Sequence, residues 1–204
     1  MIAAALAAFA RLVSGASVRW TAALEGERQR VYFANHTSHL DFVVIWSALQ
    51  PAMRRRTRPV AGADYWERGA VKRFLSREVF RAILIERARA SSSPSQASKS
   101  IEQIAQGMGD DQSIIVFPEG TRSLDGEVLP FKSGMYHLCR LKPGLELVPV
   151  YLANMNRILP KGEVLPVPLL GRVIFGAPMR FDPGEEKAAF LARTRDALLS
   201  LRDQ

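Results

Sequence analysis

A histidine and a carboxylate, His36 and Asp41, have the residue types and the spacing for acid–base chemistry. Five residues along one continuous helix amount to a rotation of about 140°, which would place the two side chains on different faces. They can meet only if His36 lies in a loop and Asp41 lies in the first turn of the next helix. Ser38 is a preferred helix N-cap, and a helix that starts there has Asp41 at its third position. A carboxylate on one ring nitrogen would leave the other nitrogen to act as a general base.

Other interpretations of these residues stay open on the sequence alone. Ser38-x-x-Asp41 also matches a capping box, in which the carboxylate of Asp41 only satisfies backbone amides. His36 and His39 could instead bind a metal ion, although neither a His-x-x-x-His pair nor a cysteine cluster completes such a site. We therefore predict that Asp41 either orients His36 or caps the helix, and the sequence does not decide between these roles.

A turn that carries cationic groups is predicted at residues 118–122, Pro-Glu-Gly-Thr-Arg, directly after the most strand-like run of the chain. The planar guanidinium of Arg122 is suited to phosphate or carboxylate. Arg87, which follows another apolar run, and Lys132 could join Arg122 in binding one phosphate group. The alternative is that Arg122 forms an ion pair with Glu119 or Glu127 in a solvated loop.

The composition limits the classes of protein and of partner. Of 204 residues, 48% are hydrophobic and 24% are charged, which excludes disorder, collagen and coiled coil as overall descriptions. A net charge of +8 favours an anionic partner, such as nucleic acid, an acidic membrane surface or a phosphorylated small molecule. The single cysteine, Cys139, excludes an internal disulfide, and a buried inert thiol is the expectation for it. The sequence contains no phosphate-binding glycine loop and no Gly-x-Ser-x-Gly motif.

Strands alternate with helices from Gly26 onward, which predicts a three-layer α/β fold. Strands are predicted over residues 30–34, 58–62, 82–85, 113–117, 145–152 and 172–175. Helices are predicted over 40–49 (ended by Pro51), 65–76 and 96–106, around Cys139, and after Asp182 as N-cap with Pro183 and Glu185 in the first turn. Residues 90–98 and 160–168 are predicted to be loops. The basic run 54–58 could touch nucleic acid or acidic lipid, although such a run is more often a solvated loop.

The first ten residues form an apolar run, which Arg11 interrupts. The run is shorter than the roughly 20 residues that a membrane-spanning helix needs. No basic residue precedes it, as one would in a secretory signal. We predict an Ala-rich helix over residues 2–13 that lies in a membrane interface or covers the core. The predicted organisation is an apolar or amphipathic, membrane-associating segment, 1–25, followed by one α/β domain, 26–204.

Four segments, taken in order, resemble motifs of the glycerolipid acyltransferase family (phospholipid/glycerol acyltransferases), which includes bacterial 1-acyl-sn-glycerol-3-phosphate acyltransferase. Residues 35–41, Asn-His-Thr-Ser-His-Leu-Asp, resemble its His-x4-Asp motif. Residues 85–87, Ile-Glu-Arg, resemble the second motif, and residues 117–123, Phe-Pro-Glu-Gly-Thr-Arg-Ser, are close to the third. Residues 148–150, Val-Pro-Val, resemble the fourth. The segment 131–134, Phe-Lys-Ser-Gly, also fits the family.

The resemblance implies transfer of a fatty acyl group from acyl-CoA or acyl-carrier protein to the sn-2 hydroxyl of 1-acyl-glycerol-3-phosphate, which gives phosphatidic acid. In that reaction His36 would be the base and Asp41 would orient it. The residues implied to hold the phosphate and glycerol of the acceptor are Arg87, Glu119, Gly120, Thr121, Arg122 and Lys132. A thioester donor requires no metal and no redox cofactor.

The resemblance also carries expectations about fold, location and partners. It implies a three-layer α/β/α fold with a mixed, mostly parallel central sheet, and an acyltransferase domain over 26–204. It implies a peripheral enzyme on the cytoplasmic face of a bacterial inner membrane, with an anionic membrane surface rather than nucleic acid as its partner. Two alternatives remain: the same chemistry on another lysophospholipid or a lyso-ornithine lipid, and a basic membrane- or nucleic-acid-binding module without turnover.

Overall fold

The structure, a computed structural model, describes residues 2–38, 41–86, 94–155 and 171–204. Within these ranges one sheet contains eight strands: β1 (Ser17–Trp20), β2 (Arg30–Ala34), β3 (Thr57–Gly62), β4 (Ile83–Ile85), β5 (Ser113–Val116), β6 (Glu146–Ala153), β7 (Arg172–Phe175) and β8 (Met179–Arg180). The helices are α1 (Ile2–Ser14), α2 (Asp41–Ala48), α3 (Pro51–Arg55), α4 (Ala63–Trp66), α5 (Ala70–Phe74), α6 (Pro94–Met108), α7 (Gly134–Leu141) and α8 (Lys187–Leu199). A π-helical turn, Leu75–Val79, continues α5.

The sheet is mixed and mostly parallel, as the resemblance implies. The strand order is β1-β7-β6-β2-β5-β3-β4, with β8 beside β6. Strand β2 lies between β5 and β6 and is parallel to both. The antiparallel pairs are β6 with β7 and β6 with β8. The carboxyl ends of β2, β5 and β6 therefore meet at one edge of the sheet, where the loops after them can form a site.

The sheet buries both of its faces, because successive residues of β2 point to opposite layers. Val31 and Phe33 belong to one hydrophobic cluster, to which α6, α7 and α8 contribute. Tyr32 and Ala34 belong to the other cluster, to which α1 and α2 contribute. This alternation follows the period of two in a strand, and it confirms the predicted three-layer α/β/α arrangement.

Several predicted boundaries were wrong for identifiable reasons. The helix expected over 65–76 is broken into α4 and α5, because Gly69 has a φ of +85° that a helix does not accommodate. Pro51 begins α3 as well as following α2, since proline is tolerated at the first helical position. Helix α8 begins after Glu186, because the amides of Gly184 and Glu185 bond to Asp182 in a separate turn.

Two short strands and one helix extension were not predicted. Strands β1 and β8 have four and two residues and carry no long apolar run. Helix α6 begins at Pro94, which shortens the loop expected over 90–98. Residues 87–93 of that region, and the loop predicted over 160–168, lie outside the described residues.

Helix α1 packs against α2, and the guanidinium of Arg11 donates a hydrogen bond to the carbonyl of Ala48 at 3.3 Å. Three large apolar side chains of α1 nevertheless face solvent: Ile2, Phe9 and Leu12, which are 60%, 62% and 79% exposed. Among the helices of the described ranges, none combines the length and hydropathy of a membrane span. One side of α1 thus contacts the protein and the other is free.

Candidate active site

The predicted contact between His36 and Asp41 is present. Nδ1 of His36 lies 2.9 Å from Oδ2 of Asp41. His36 lies two residues after the end of β2, and Asp41 is the first residue of α2. The imidazole therefore meets the carboxylate at the start of the helix. Because an ionised carboxylate can only accept, Nδ1 carries the hydrogen and Nε2 is left to take a proton.

The carboxylate of Asp41 also caps the loop, so the two predicted roles coexist. Its Oδ2 accepts hydrogen bonds from the amides of Thr37 at 2.7 Å and Ser38 at 2.8 Å, in addition to the imidazole. The side chain is fully buried, and its other oxygen, Oδ1, has no hydrogen-bond partner among the described residues. One oxygen atom therefore fixes both the loop backbone and the histidine ring.

The ring of His36 is held on a second side by an aromatic contact. It stacks on Phe117, the residue after β5, with ring centroids 4.1 Å apart and an interplanar angle of 18°. The His36 side chain keeps 19% of its surface exposed, so a substrate can reach it. In the sequence Phe117 is one residue of a motif, and no pattern there predicts that it stacks on His36.

Glu119 joins the third motif to the histidine loop. Its Oε1 accepts the amide of His36 at 2.9 Å, and its Oε2 accepts the amide of Leu129 at 3.1 Å. The residue is only 2% exposed, and burial raises the pKa of its carboxyl above the usual value. Both carboxylate oxygens thus already bind backbone amides, which favours a positioning role over contact with a substrate.

Three further hydrogen bonds fix the loop that carries His36. The amide of Ser123 donates to the carbonyl of His36 at 2.8 Å. The buried side chain of Asn35 bonds to both the amide and the carbonyl of Leu152 on β6, at 2.8 and 2.9 Å. The loop after β2 is therefore joined to the loop after β5 and to strand β6. Sequence reasoning gave Asn35 no role, since its partner is 117 residues away.

Two of the three cations of the predicted phosphate site, Arg122 and Lys132, lie on the turn at 118–122 or contact it. Among the described residues, the guanidinium of Arg122 has no ion-pair partner, because Glu127 binds Arg202 instead and Glu119 binds amides. The predicted alternative of an Arg122–glutamate pair was therefore wrong. Lys132 lies exposed over Gly120: a Cβ added to that glycine would be 2.9 Å from Nζ.

Gly120 has a φ of +67°, the left-handed region that favours glycine. Its conformation and its missing side chain together bring Lys132 onto the turn. Thr121 is exposed beside it. Arg87 and His39 lie outside the described residues, so the structure does not show whether either joins the site. Within the described ranges, no group of three histidine, cysteine or acidic side chains is arranged to hold a metal ion.

The remaining candidate residues lie elsewhere. Cys139 is fully buried, and burial raises the pKa of its thiol to about 12, which confirms the expected inert thiol. The basic run 54–58 is not a freely solvated loop: Arg54 lies over Trp46, Arg56 pairs with Glu27, and Arg58 donates to the carbonyl of Gly107.

Comparisons with known proteins extend these observations. A family model described as Acyltransferase matches residues 17–153. The 1-acyl-sn-glycerol-3-phosphate acyltransferase of Limnanthes douglasii is 31% identical over 70% of this chain and 48% of its own length. That of Haemophilus influenzae is also 31% identical, over 62% of this chain and 51% of its own length. The chain spans about half the length of these curated relatives.

A solved structure resembles the whole described fold. The crystal structure of the 1-acyl-sn-glycerophosphate (LPA) acyltransferase PlsC from Thermotoga maritima aligns with a TM-score of 0.74. The alignment covers 99% of this chain and 79% of that one, at 18% identity, so the likeness concerns the fold. The family match covers well over half of the chain and contains both the His36–Asp41 pair and the turn at 118–122, and the chain belongs to the acyltransferase family.

Proposed function

We propose that this protein transfers a fatty acyl group from a thioester donor, acyl-CoA or acyl-carrier protein, to the sn-2 hydroxyl of 1-acyl-sn-glycerol-3-phosphate. The observation that carries the proposal is the 2.9 Å contact between His36 and Asp41, next to the turn that carries Arg122. The names of the relatives support the same activity. The product is phosphatidic acid, and the released group is a free thiol.

The proposed reaction needs one proton transfer in each direction. Nε2 of His36 takes the proton of the acceptor hydroxyl as its oxygen attacks the thioester carbonyl carbon. The buried carboxylate of Asp41 stabilises the imidazolium that forms. The tetrahedral intermediate then expels the thiolate, the ester bond remains, and the imidazolium returns its proton to the thiolate. No acyl-enzyme is required.

The turn at 118–122 supplies the proposed site for the phosphate of the acceptor. The guanidinium of Arg122 and the ammonium of Lys132 are the cations, and Gly120 lets Lys132 approach. The motif resemblance adds Arg87 and Thr121 to this site. We assign Glu119 to holding the His36 loop, because its two oxygens already accept amides. Phosphate binding at this turn would bring the glycerol hydroxyl toward His36.

We also propose attachment to an anionic membrane surface through α1, as a peripheral enzyme on the cytoplasmic face of a bacterial inner membrane. Phe9 and Leu12 would enter the interface, since they are exposed on a helix whose other side packs on α2. The net charge of +8 favours an anionic partner, and the exposed apolar side chains of α1 with a lysophospholipid acceptor favour an acidic lipid surface over nucleic acid. Within the predicted membrane-associating segment, 1–25, α1 is the part proposed to enter the interface, because β1 pairs with β7 in the sheet of the acyltransferase domain.

The test is release of free thiol from palmitoyl-CoA, with and without lysophosphatidic acid, by wild type and by His36→Ala. We expect acceptor-dependent release by wild type and a loss of about 10²–10⁴-fold in the variant, the usual contribution of a general base. His137→Ala is the matched control, because His137 is exposed on α7. Retention of a tenth of wild-type turnover by a folded His36→Ala would overturn the assignment.

The alternative acceptors are separated by a substrate panel. Lysophospholipids with other head groups keep a phosphate for Arg122 and Lys132, whereas a lyso-ornithine lipid offers these cations no phosphate. We therefore expect lysophosphatidic acid to give the highest kcat/KM and the phosphate-free lipid the lowest. Binding to anionic vesicles without thiol release from any donor would instead favour a non-catalytic binding module.

A further inference from the structure

A cavity of about 330 Å³ opens beside the histidine loop. Its walls come from the loop after β2, the segment Asp125–Glu127, the end of β6 and the start of β7. The lining residues are Thr37, Asp125, Gly126, Glu127, Tyr151, Leu152, Ala153, Asn154, Met155, Arg172 and Arg202. The volume lies within the range of about 300–1,000 Å³ that is usual for pockets that bind small molecules.

This cavity is separate from the proposed phosphate site of the acceptor, since neither Arg122 nor Lys132 lines it. Thr37 links it directly to the catalytic pair. The amide of Thr37 donates to the same Asp41 oxygen that holds His36. A molecule in the cavity would therefore contact the residue that directly follows the proposed base in the sequence.

The charges of the lining leave one cation available. Arg202 forms two hydrogen bonds to the carboxylate of Glu127, at 2.6 and 3.1 Å. The carboxylate of Asp125 accepts from the hydroxyl of Ser123 and the amide of Glu127. Arg172 is exposed, and among the described residues it has no ion-pair partner. Among its described lining residues, the cavity thus offers one unpaired guanidinium, that of Arg172, for an anionic group.

The hydroxyl of Thr37 has unused hydrogen-bonding capacity. Its Oγ1 is buried and has no hydrogen-bond partner in the part of the chain that the structure describes. Rotation about the Cα–Cβ bond would turn this hydroxyl toward a ligand without breaking an existing hydrogen bond. A polar ligand that reaches the cavity near His36 would satisfy it.

Acyl transfer requires the acceptor and the acyl donor at His36 at the same time. The Arg122 turn is the proposed site of the acceptor, which leaves the cavity for the acyl donor. Acyl-CoA and acyl-carrier protein share one chemical group, a phosphopantetheine arm. It is a chain with two amides, a phosphate at one end and the thioester sulfur at the other. We propose that this cavity binds the pantetheine arm of the acyl donor, with Arg172 at its phosphate and Thr37 near its thioester end. This assignment rests on the proposed function.

The test compares wild type with Arg172→Gln, and Arg140→Gln on α7 controls for the change in net charge, because Arg140 is exposed and outside the cavity. Steady-state kinetics give KM for palmitoyl-CoA and for lysophosphatidic acid. We expect Arg172→Gln to raise the donor KM about tenfold and to leave the acceptor KM and kcat within twofold. A larger effect on the acceptor KM, or none on either, would overturn the assignment.

Equilibrium binding of coenzyme A and of 4′-phosphopantetheine, measured by calorimetry, decides the question without turnover. We expect Arg172→Gln to weaken both about tenfold, and a bulky substitution in the lining, Ala153→Met, to weaken both while the melting temperature is kept. Equal binding by all variants would overturn the assignment. If wild type released no thiol but bound both probes through Arg172, the proposed function would fail and the cavity assignment would stand.

Discussion

At the scale of single residues, one carboxylate oxygen determines the geometry of the site. Oδ2 of Asp41 receives the imidazole and two backbone amides at 2.7–2.9 Å. A change at this atom therefore alters the ring position and the loop together. Substitutions that keep or remove the oxygen atom at this position can separate the effect on the ring from the effect on the loop.

Asp41→Asn keeps an oxygen for the amides but removes the negative charge that stabilises an imidazolium. We expect kcat to fall by about 10²–10⁴-fold with a small loss of melting temperature. Asp41→Ala also leaves the two amides unpaired, and we expect a further loss of about 1–3 kcal/mol in the free energy of unfolding. The measurements are steady-state kinetics and urea denaturation. Full activity in a destabilised Asp41→Asn would show that the carboxylate only caps.

Glu119 provides a second prediction at this scale. Glu119→Gln replaces one of two acceptor oxygens by an NH₂ group that faces a backbone amide. We expect kcat to fall at least tenfold while the KM for both substrates changes less than twofold, because the His36 loop moves and no substrate contact is lost. A rise in the acceptor KM at unchanged kcat would instead indicate that Glu119 contacts the acceptor, as the resemblance implies.

The buried carboxyl of Glu119 also gives a pH dependence with a definite sign. Its pKa in the folded protein is raised by burial, so the folded state holds this proton more tightly than the unfolded chain. Relative to Glu119→Gln, wild type should therefore lose stability as the pH rises from the usual glutamate pKa through the raised one. Stability that instead increases over this window would contradict the burial of the charge.

At the scale of elements, the turn after β5 depends on glycine. Gly120→Ala would place a Cβ 2.9 Å from Nζ of Lys132 at a φ of +67°. We expect a loss of about 1–2 kcal/mol in unfolding free energy from the backbone conformation and a higher acceptor KM from the displaced ammonium.

Gly109→Ala is the matched control for that prediction. Gly109 also has a positive φ, +50°, but a Cβ there would meet nothing within 4 Å. It should share the loss of stability and leave the acceptor KM unchanged. Equal acceptor KM values for the two variants would exclude Lys132 from phosphate binding.

The elements also show how far the sequence alone could lead. The central strands β2, β5 and β6 were predicted, because a strand buried on both faces needs a continuous apolar run. Strands β1 and β8 were not, since short edge strands have no such run. The contact of His36 with Asp41 was local enough to predict from five residues. The bonds of Asn35 to Leu152 and of Glu119 to His36 join distant segments, and no periodic pattern encodes them.

At the scale of the whole molecule, exposed apolar groups and positive charge occur together. Helix α1 packs on the face of the sheet to which Tyr32 points, whereas α7 packs on the opposite face. Phe9 and Leu12 are exposed on a chain with a net charge of +8. Apolar insertion and attraction to anionic lipid would therefore act in the same direction.

We expect wild type to sediment with vesicles of phosphatidylcholine and phosphatidylglycerol, more weakly at high salt. The double variant Phe9→Ser/Leu12→Ser should lower the partition coefficient at least tenfold. Leu141→Ser is the control, because Leu141 is 55% exposed on α7 in the opposite layer. Equal sedimentation of the double variant and the control would contradict attachment through α1.

The burial of Cys139 has a practical consequence. The only sulfhydryl of the chain is buried and protonated at neutral pH, so maleimide dyes and disulfide reagents should leave the native protein unmodified. A cysteine introduced at position 9 or 12 could accordingly be labelled alone, without first removing a native one. An environment-sensitive fluorophore there would report in real time whether this end of the molecule leaves water for lipid.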